Sequence, residues 1–308
     1  MGLEERNPLV TEDLPFSMDT SRRQRTIGKS AAVAGFGYWS GRDVTVEFRP
    51  AEPGTGIVFV RRDLPHRPRI PAHVAYRLEQ PRRTSLRLGE AGVDMIEHVM
   101  AALGGLRIDN CEIWVDEAEM PGCDGSALPF VEALDAAGIV EQGVCRPRLV
   151  IEEVVRVGDA ASWIEARPAA GSVPRFQYHL DYGPESPIAR QTYETELTPD
   201  VFRRELAPSR TFMLRAEAEW LLAHGIGHRT RAQDLLVYGS DGPIENRERF
   251  PDECARHKLL DMLGDLTLAG CDLVGDFTAF RSGHRLNAEA VRALIGPSCQ
   301  AARNKRCA

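Results

Sequence analysis

Histidine and aspartate stand one helical turn apart in a run of residues that is otherwise largely apolar. The run is 253–269, and His257 and Asp261 occupy positions i and i+4 within it. Side chains at this spacing lie on one helix face with Cβ atoms about 5–6 Å apart, so an imidazole and a carboxylate can share one divalent ion. Asp265 continues the same stripe. The spacing alone favours a simpler alternative, the solvated face of an amphipathic helix, so a second signal is needed.

That second signal is a polar pair in another apolar helical pattern. Glu97 and His98 are adjacent within the stretch 95–100, where an unpaired buried carboxylate would be costly. If the two helices face each other, His98, His257 and Asp261 supply two nitrogens and one oxygen. Such a three-ligand set leaves a fourth position open, as in catalytic zinc sites. Glu97 could then take a proton from a water bound there, whose pKa the metal lowers towards about 7.

A third candidate is His284, which follows Arg281-Ser-Gly after a predicted strand. A histidine on a loop at a strand end can act as a general acid towards a leaving amine. Asp265 could bond to its other ring nitrogen and hold the ring cationic. The alternative is an ordinary loop histidine.

Two halves of similar pattern must position these residues. Each half runs through strands, a helix that ends in glycine and a further strand. This weak internal repeat suggests two α+β domains packed face to face, and a chance resemblance of two helix ends is nearly as good an explanation. We therefore predict a mobile leader (1–21), a first domain (22–146) with Glu97 and His98, and a second domain (147–308) with His257, Asp261 and His284. The predicted strands are 43–49, 56–61, 111–115, 149–157, 176–182 and 273–280, the first two forming a hairpin. The predicted helices are 93–106, 129–137, 212–225, 253–269 and 288–295.

Composition excludes several classes of protein. The chain has 308 residues, of which 43% are hydrophobic and 27% charged, so it is neither disordered nor fibrous. The formal charge of −7, without a basic stripe, argues against nucleic acid as a partner. No apolar run approaches the roughly 18 residues that span a bilayer, and the start lacks a secretory signal. Seven cysteines without a C-x-x-C pair are typical of reduced thiols. We expect a soluble cytoplasmic protein.

Several long motifs in a fixed order resemble one enzyme family. They are Val93-Asp-Met-Ile-Glu-His-Val-Met-Ala-Ala-Leu-Gly-Gly-Leu-Arg-Ile-Asp-Asn110, Asp124-Gly-Ser-Ala-Leu-Pro-Phe130, Ser209-Arg-Thr-Phe212, His257-Lys-Leu-Leu-Asp-Met-Leu-Gly-Asp-Leu266 and Ser282-Gly-His-Arg-Leu-Asn287. The chain resembles the UDP-3-O-acyl-N-acetylglucosamine deacetylases of lipid A biosynthesis (LpxC-like) over about residues 23–295. Motifs of this length make the resemblance specific.

The resemblance implies a zinc-dependent amidohydrolase that removes acetate from the 2-acetamido group of a UDP-linked acylated amino sugar. Fe²⁺ would fit the same ligands, and family members are mostly monomers. The implied roles fall on the zinc ligands His98, His257 and Asp261, the general base Glu97, the general acid His284 supported by Asp265, the oxyanion donor Thr211, and the substrate-binding residues Lys258 and Phe212.

The implied fold is two similar two-layer α/β sandwich domains, like the second domain of ribosomal protein S5, with helices packed between the sheets. An insert in the second domain forms an apolar passage for the acyl chain, which we expect near residues 160–200. Two departures bear on substrate binding: Trp39 stands where the family usually has histidine, and the segment 226–234 is altered.

Two other functions are kept as alternatives. Two histidines and a carboxylate also form the facial triad of non-haem iron enzymes, although the helical pair beside Glu97 suits hydrolysis better. A catalytically diverged relative could instead bind an acylated sugar nucleotide without turnover. A protein that only binds would have no use for a base, an acid and Thr211, so hydrolysis is favoured.

Overall fold

The computed structural model describes residues 22–304, with side chains described as far as residue 296; the leader predicted at 1–21 lies outside the described residues. The elements of the first half are mainly strands. The strands are β1 (Arg23–Ile27), β2 (Ala31–Phe36), β3 (Asp43–Pro50), β4 (Ile57–Arg61), β5 (Arg69–Pro71), β6 (Arg77–Gln80), β7 (Arg83–Leu88), β8 (Ala91–Asp94), β9 (Cys111–Val115) and β10 (Ile139–Cys145). The helices are α1 (Glu97–Gly105) and α2 (Leu128–Ala137), and a 3-10 turn spans Val74–Tyr76.

The second half carries strands and the longer helices. The strands are β11 (Arg148–Val150), β12 (Val155–Gly158), β13 (Trp163–Arg167), β14 (Arg175–Leu180), β15 (Gln191–Glu196), β16 (Phe212–Leu214), β17 (Leu236–Gly239), β18 (Gly242–Pro243), β19 (Asp272–Val274) and β20 (Asp276–Phe280). The helices are α3 (Pro199–Val201), α4 (Arg215–Ala223), α5 (Glu253–Thr267) and α6 (His284–Asn304), with a π-helical turn at Phe202–Leu206. The protein is therefore of mixed α/β class, as predicted.

Two five-stranded sheets share one topology. The first has the order β2-β3-β9-β4-β5 and the second β12-β13-β20-β14-β15. In both sheets, the strand that comes last in the sequence (β9 or β20) lies at the centre. It is antiparallel to one neighbour and parallel to the other. The repeat suggested by the sequence therefore corresponds to a shared strand order.

Helices α1 and α5 pack against each other at the middle of the molecule. Helix α5 also packs on β14 and β15, while α6 packs on β12 and β13. Nearly every residue of α1 and most of α5 are buried, as expected for helices enclosed on several sides. The polar stripe is buried too, with His257 2% and Asp261 4% exposed. The alternative of a solvated helix face is therefore wrong.

Two predictions in the first half are corrected. The hairpin of strands 43–49 and 56–61 does not form, because β9 lies between β3 and β4. All five residues of β4 are buried, which suits a strand with neighbours on both sides. The helix predicted from residue 93 begins at Glu97, because residues 91–94 pair with β7 and Met95 has φ 61°, a value outside the helical region.

The region near 160–200, where an acyl-chain insert is expected, forms part of a main sheet. Residues 163–196 instead supply β13, β14 and β15 of the second main sheet, where alternate side chains of β14 are buried. A small sheet with the order β16-β17-β18, joined by α4, lies outside this main sheet.

Other predicted bounds in the second half also change. The single strands predicted at 149–157 and 273–280 are each divided into two, and the predicted helix 212–225 begins with the strand β16. Gly275 lies between the later pair, and a Cβ there would lie 2.6 Å from the Ile151 side chain and 2.7 Å from the Arg167 carbonyl oxygen, so this position requires glycine. Helix α6 begins at His284 rather than near residue 288.

The described helices include none with the length and apolar character required to cross a bilayer. The five cysteines of the described part form no disulfide with one another.

Candidate active site

Three potential metal ligands converge where α1 meets α5. The Nε2 atoms of His98 and His257 lie 3.6 and 3.4 Å from Oδ1 of Asp261. One ligand atom from each of these residues lies within 4.8 Å of the others, and all three side chains are buried. Residues from distant parts of the sequence are thus close enough to hold one cation.

The Asp261 carboxylate has one oxygen without a protein partner. Oδ2 accepts a hydrogen bond of 2.8 Å from Nζ of Lys258, whereas Oδ1 is buried and makes no hydrogen bond within the described chain. Leaving a buried charged acceptor unsatisfied costs about 1–3 kcal/mol or more. Because Oδ1 is also the atom nearest both imidazoles, the donor set fits a divalent cation bound at this point.

The protonation states of these groups suit a metal site. Nδ1 of His257 lies 3.1 Å from the carbonyl oxygen of Ser209 and must donate to it, which leaves the Nε2 lone pair free. Burial lowers the pKa of His257 to about 3, so the ring is neutral, as a ligand must be. Burial alone would raise the pKa of Asp261, but the Lys258 ammonium holds it well below its usual range.

Glu97 and His284 form a second pair beside the ligands. Oε1 of Glu97 lies 4.0 Å from Nε2 of His284, and both side chains are buried. Burial raises the pKa of Glu97 above its usual value, although the charge of His284 opposes the rise. A carboxylate with a raised pKa is a better proton acceptor near neutral pH.

His284 is held as a cation by its surroundings. Nδ1 of His284 lies 2.9 Å from Oδ2 of Asp265, and the Asp265 side chain is fully buried. Burial lowers the pKa of His284, but the charge and hydrogen bond of Asp265 and the charge of Glu97 outweigh it and raise the pKa to about 9. The ring therefore carries a proton at neutral pH and can donate it from Nε2.

A cavity of about 770 Å³ opens onto this cluster. Its walls include Thr211, Phe212 and Lys258 as well as Glu97 and His284. The Phe212 ring packs edge-on against the His257 ring with centroids 6.1 Å apart. Of the residues singled out in the sequence, Asp265 alone is not part of the cavity wall, since it lies behind His284.

Part of the cavity wall is apolar. Apolar residues of β16, α4, β17 and the following turns contribute to it, namely Met213, Leu221, Leu222, Ile226, Leu235, Val237 and Ile244. Arg215, Glu217 and Glu219 of α4 also line the cavity. The altered segment 226–234 forms part of this wall. Arg229 ties that segment to the first half through a 2.8 Å hydrogen bond to the carbonyl oxygen of Gly41. Trp39 also lines the cavity, with the Arg83 guanidinium 4.5 Å above its ring.

Sequence reasoning missed several residues that support the cluster. Thr84 on β7 contacts Glu97, Asp265 and His284, and Nδ2 of Asn287 donates to Asp265 over 2.8 Å. Asn287 stands three residues after His284 in the motif Ser282-Gly-His-Arg-Leu-Asn287, so the motif could have indicated that it lies near His284. Thr84 belongs to an ordinary strand pattern and gave none.

Comparison with known proteins gives a consistent result. The family model described as LpxC, UDP-3-O-acyl N-acetylglycosamine deacetylase, matches residues 24–296. Proteins named UDP-3-O-acyl-N-acetylglucosamine deacetylase from Brucella ovis, Brucella canis and Brucella suis are each 39% identical to the chain over 275 residues. Each match covers 88% of this chain and 95% of the relative.

Proposed function

The chain belongs to the UDP-3-O-acyl-N-acetylglucosamine deacetylase family, and from this premise we propose how its residues hydrolyse the 2-acetamido group of the acylated UDP-sugar. The enzyme is a hydrolase of lipid A biosynthesis that releases acetate. One observation carries the proposed mechanism: three buried ligand atoms lie within 4.8 Å of one another, beside a carboxylate and a protonated imidazole.

We propose that His98, His257 and Asp261 hold a catalytic Zn²⁺. Two nitrogens and one carboxylate oxygen are a common ligand set of catalytic zinc, and the unpaired Oδ1 of Asp261 supports a cation there. When bound, such an ion polarises an amide carbonyl and makes a coordinated water more acidic. Fe²⁺ would suit the same donors, so the identity of the metal is part of the proposal.

Glu97 and His284 divide the proton transfers. Glu97 accepts a proton from the attacking water as the new C–O bond forms at the acetyl carbonyl. His284 donates its Nε2 proton to the sugar nitrogen as the C–N bond breaks, which releases acetate and leaves an amine. Asp265 keeps His284 charged until that step, because its carboxylate lies 2.9 Å from Nδ1 of the ring.

Thr211, Lys258 and Phe212 contact the substrate in this proposal. The Thr211 side chain lines the cavity beside the ligands, where its hydroxyl can donate to the oxygen that gains charge. The Lys258 ammonium, whose pKa stays raised because the attraction of Asp261 outweighs burial, offers charge to polar parts of the substrate.

The acyl chain occupies the apolar part of the cavity wall formed by α4 and β17. Leu221, Leu222 and Val237 line the cavity there, and apolar side chains favour a hydrocarbon chain. This assignment moves the acyl passage from residues 160–200 to residues 212–244. Trp39 and the segment 226–234 shape the same cavity, so they are candidates for setting substrate preference.

The domain organisation and the setting complete the proposal. The shared strand order supports two similar α/β sandwich domains, residues 22–146 and 147–308, like the second domain of ribosomal protein S5, with the active site between them. We further propose a cytoplasmic monomer whose partner is the UDP-linked acylated amino sugar and not nucleic acid.

An acetate-release assay tests the function. Purified protein is incubated with UDP-3-O-acyl-N-acetylglucosamine before and after treatment with a chelator, and again after zinc or Fe²⁺ is restored. We expect release that stops on chelation and returns with metal. Binding of the substrate without release by metal-loaded protein would favour the alternative of a diverged binder.

A further inference from the structure

Thr84 joins the two proton-transfer groups to each other. Its backbone N–H donates to Oε2 of Glu97 over 3.0 Å, and its hydroxyl donates to Oδ1 of Asp265. The same hydroxyl oxygen lies 3.1 Å from Nδ1 of His284. We propose that Thr84 is a positioning residue that holds Glu97, Asp265 and His284 in one arrangement for proton transfer, an inference that rests on the proposed function.

The hydroxyl also fixes where the His284 proton lies. A threonine hydroxyl has a single donor, and here it points to Asp265. Towards His284 the oxygen can therefore only accept, which requires a proton on Nδ1. Nδ1–H is then shared between Asp265 at 2.9 Å and Thr84 at 3.1 Å, and Nε2 is the nitrogen that faces Glu97.

Thr84 connects residues from the two halves of the protein. Strand β7 belongs to the small sheet β6-β7-β8 of the first half. Glu97 also lies in the first half, on helix α1. Asp265 and His284 lie on α5 and α6 of the second half. Thr84 thus sets the base of one half against the acid of the other, across the junction where a small shift would separate them.

Thr84 acts through these neighbours and not on the substrate. Its side chain is 1% exposed and is not part of the cavity wall. Loss of its hydroxyl should therefore slow turnover without weakening substrate binding. A hydrogen bond to a charged group supports an effect of about ten- to a hundredfold on kcat.

The test compares two substitutions at this position. Thr84→Val keeps the side-chain shape and the backbone N–H but removes the hydroxyl, while Thr84→Ser keeps the hydroxyl. We expect Thr84→Val to lower kcat about ten- to a hundredfold with KM and bound metal unchanged, and Thr84→Ser to stay within about threefold of the wild type.

Ser85 provides a matched control on the same strand. It is also 1% exposed, and its hydroxyl has no partner within the described chain. Ser85→Ala should retain wild-type kcat, which separates loss of this contact from loss of any buried hydroxyl on β7.

Three results would overturn the inference: full kcat in Thr84→Val, a Thr84→Ser variant as slow as Thr84→Val, or loss of metal or a tenfold rise of KM in Thr84→Val. The last would assign Thr84 to the fold alone. Failure of the proposed function is distinguishable, because the wild type itself would then release no acetate.

Discussion

Gly264 of α5 lies directly against the backbone of Glu97 on α1. A Cβ atom at Gly264 would overlap the Glu97 carbonyl oxygen and would lie 3.2 Å from the backbone nitrogen of Ala101. Gly104 of α1 lies against the side chain of Thr267 of α5. Gly264 therefore lets the two helix backbones touch and Gly104 makes room for a side chain of the partner helix, and His98 and Asp261 face each other across this close contact.

Gly264→Ala should push the two helices apart. Alanine normally favours a helix over glycine by about 1 kcal/mol, but a forced overlap with backbone atoms typically costs about 1–3 kcal/mol. Because the overlapped atoms belong to the backbone and cannot move aside easily, we expect a net fall in the free energy of unfolding of about 1–2 kcal/mol, together with weaker metal binding. Denaturant unfolding and metal analysis measure the two effects. Gly143→Ala is the control, since a Cβ there meets nothing within 4 Å, and equal stability of both variants would contradict the packing argument.

Glu97→Gln should remove the base while preserving its shape. We expect kcat to fall by about 10²–10⁴-fold with metal content unchanged, because Glu97 is not among the three ligand residues. Steady-state acetate release and elemental analysis check the result. The exposed Glu90 offers a matched control in Glu90→Gln, which should keep full activity. A fully active Glu97→Gln enzyme would remove Glu97 from the mechanism.

His257→Ala should abolish metal binding. The substitution deletes one of three protein ligands and leaves the Asp261 carboxylate buried beside a gap. We expect metal content below the detection limit and no acetate release. His228→Ala, at an exposed position, should retain one metal per chain. If His257→Ala also retains one metal per chain, the assigned ligand set is incorrect.

The pH dependence of turnover should have two limbs. Glu97 must be deprotonated, so activity falls at acid pH as the solution passes its pKa, which burial raises. His284 must be protonated, so activity falls at alkaline pH near its pKa of about 9.

Asp265→Asn tests the origin of the alkaline limb. The substitution removes the negative charge that opposes burial at His284, so the pKa of His284 should fall and the limb should move to lower pH. The pH profile of kcat measures the shift. An alkaline limb that stays in place in Asp265→Asn would show that another group controls it.

The sequence allowed the ligand cluster to be predicted because its members lie at regular spacing. His257, Asp261 and Asp265 follow the helical repeat, and Glu97 and His98 are adjacent in a quoted motif. Such patterns are local, so they survive without knowledge of the fold.

Long-range relationships could not be read in the same way. The hairpin predicted for strands 43–49 and 56–61 is wrong because β9, distant in sequence, pairs with both. Thr84 was missed because its partners lie on three other elements. The start of α1 was misplaced because the pairing of β8 with β7 overrides the helical pattern of residues 93–96.

The central strands of the two main sheets, β9 and β20, are each the last strand of their sheet to be synthesised. Until β9 is synthesised, β3 and β4 lack the strand that lies between them. In the same way, β13 and β14 lack their shared neighbour until β20 is synthesised. A nascent chain that stalls before residue 276 would expose two bare strand edges, which are prone to pair with other chains. Premature termination before residue 276 should therefore yield aggregates instead of a shortened enzyme.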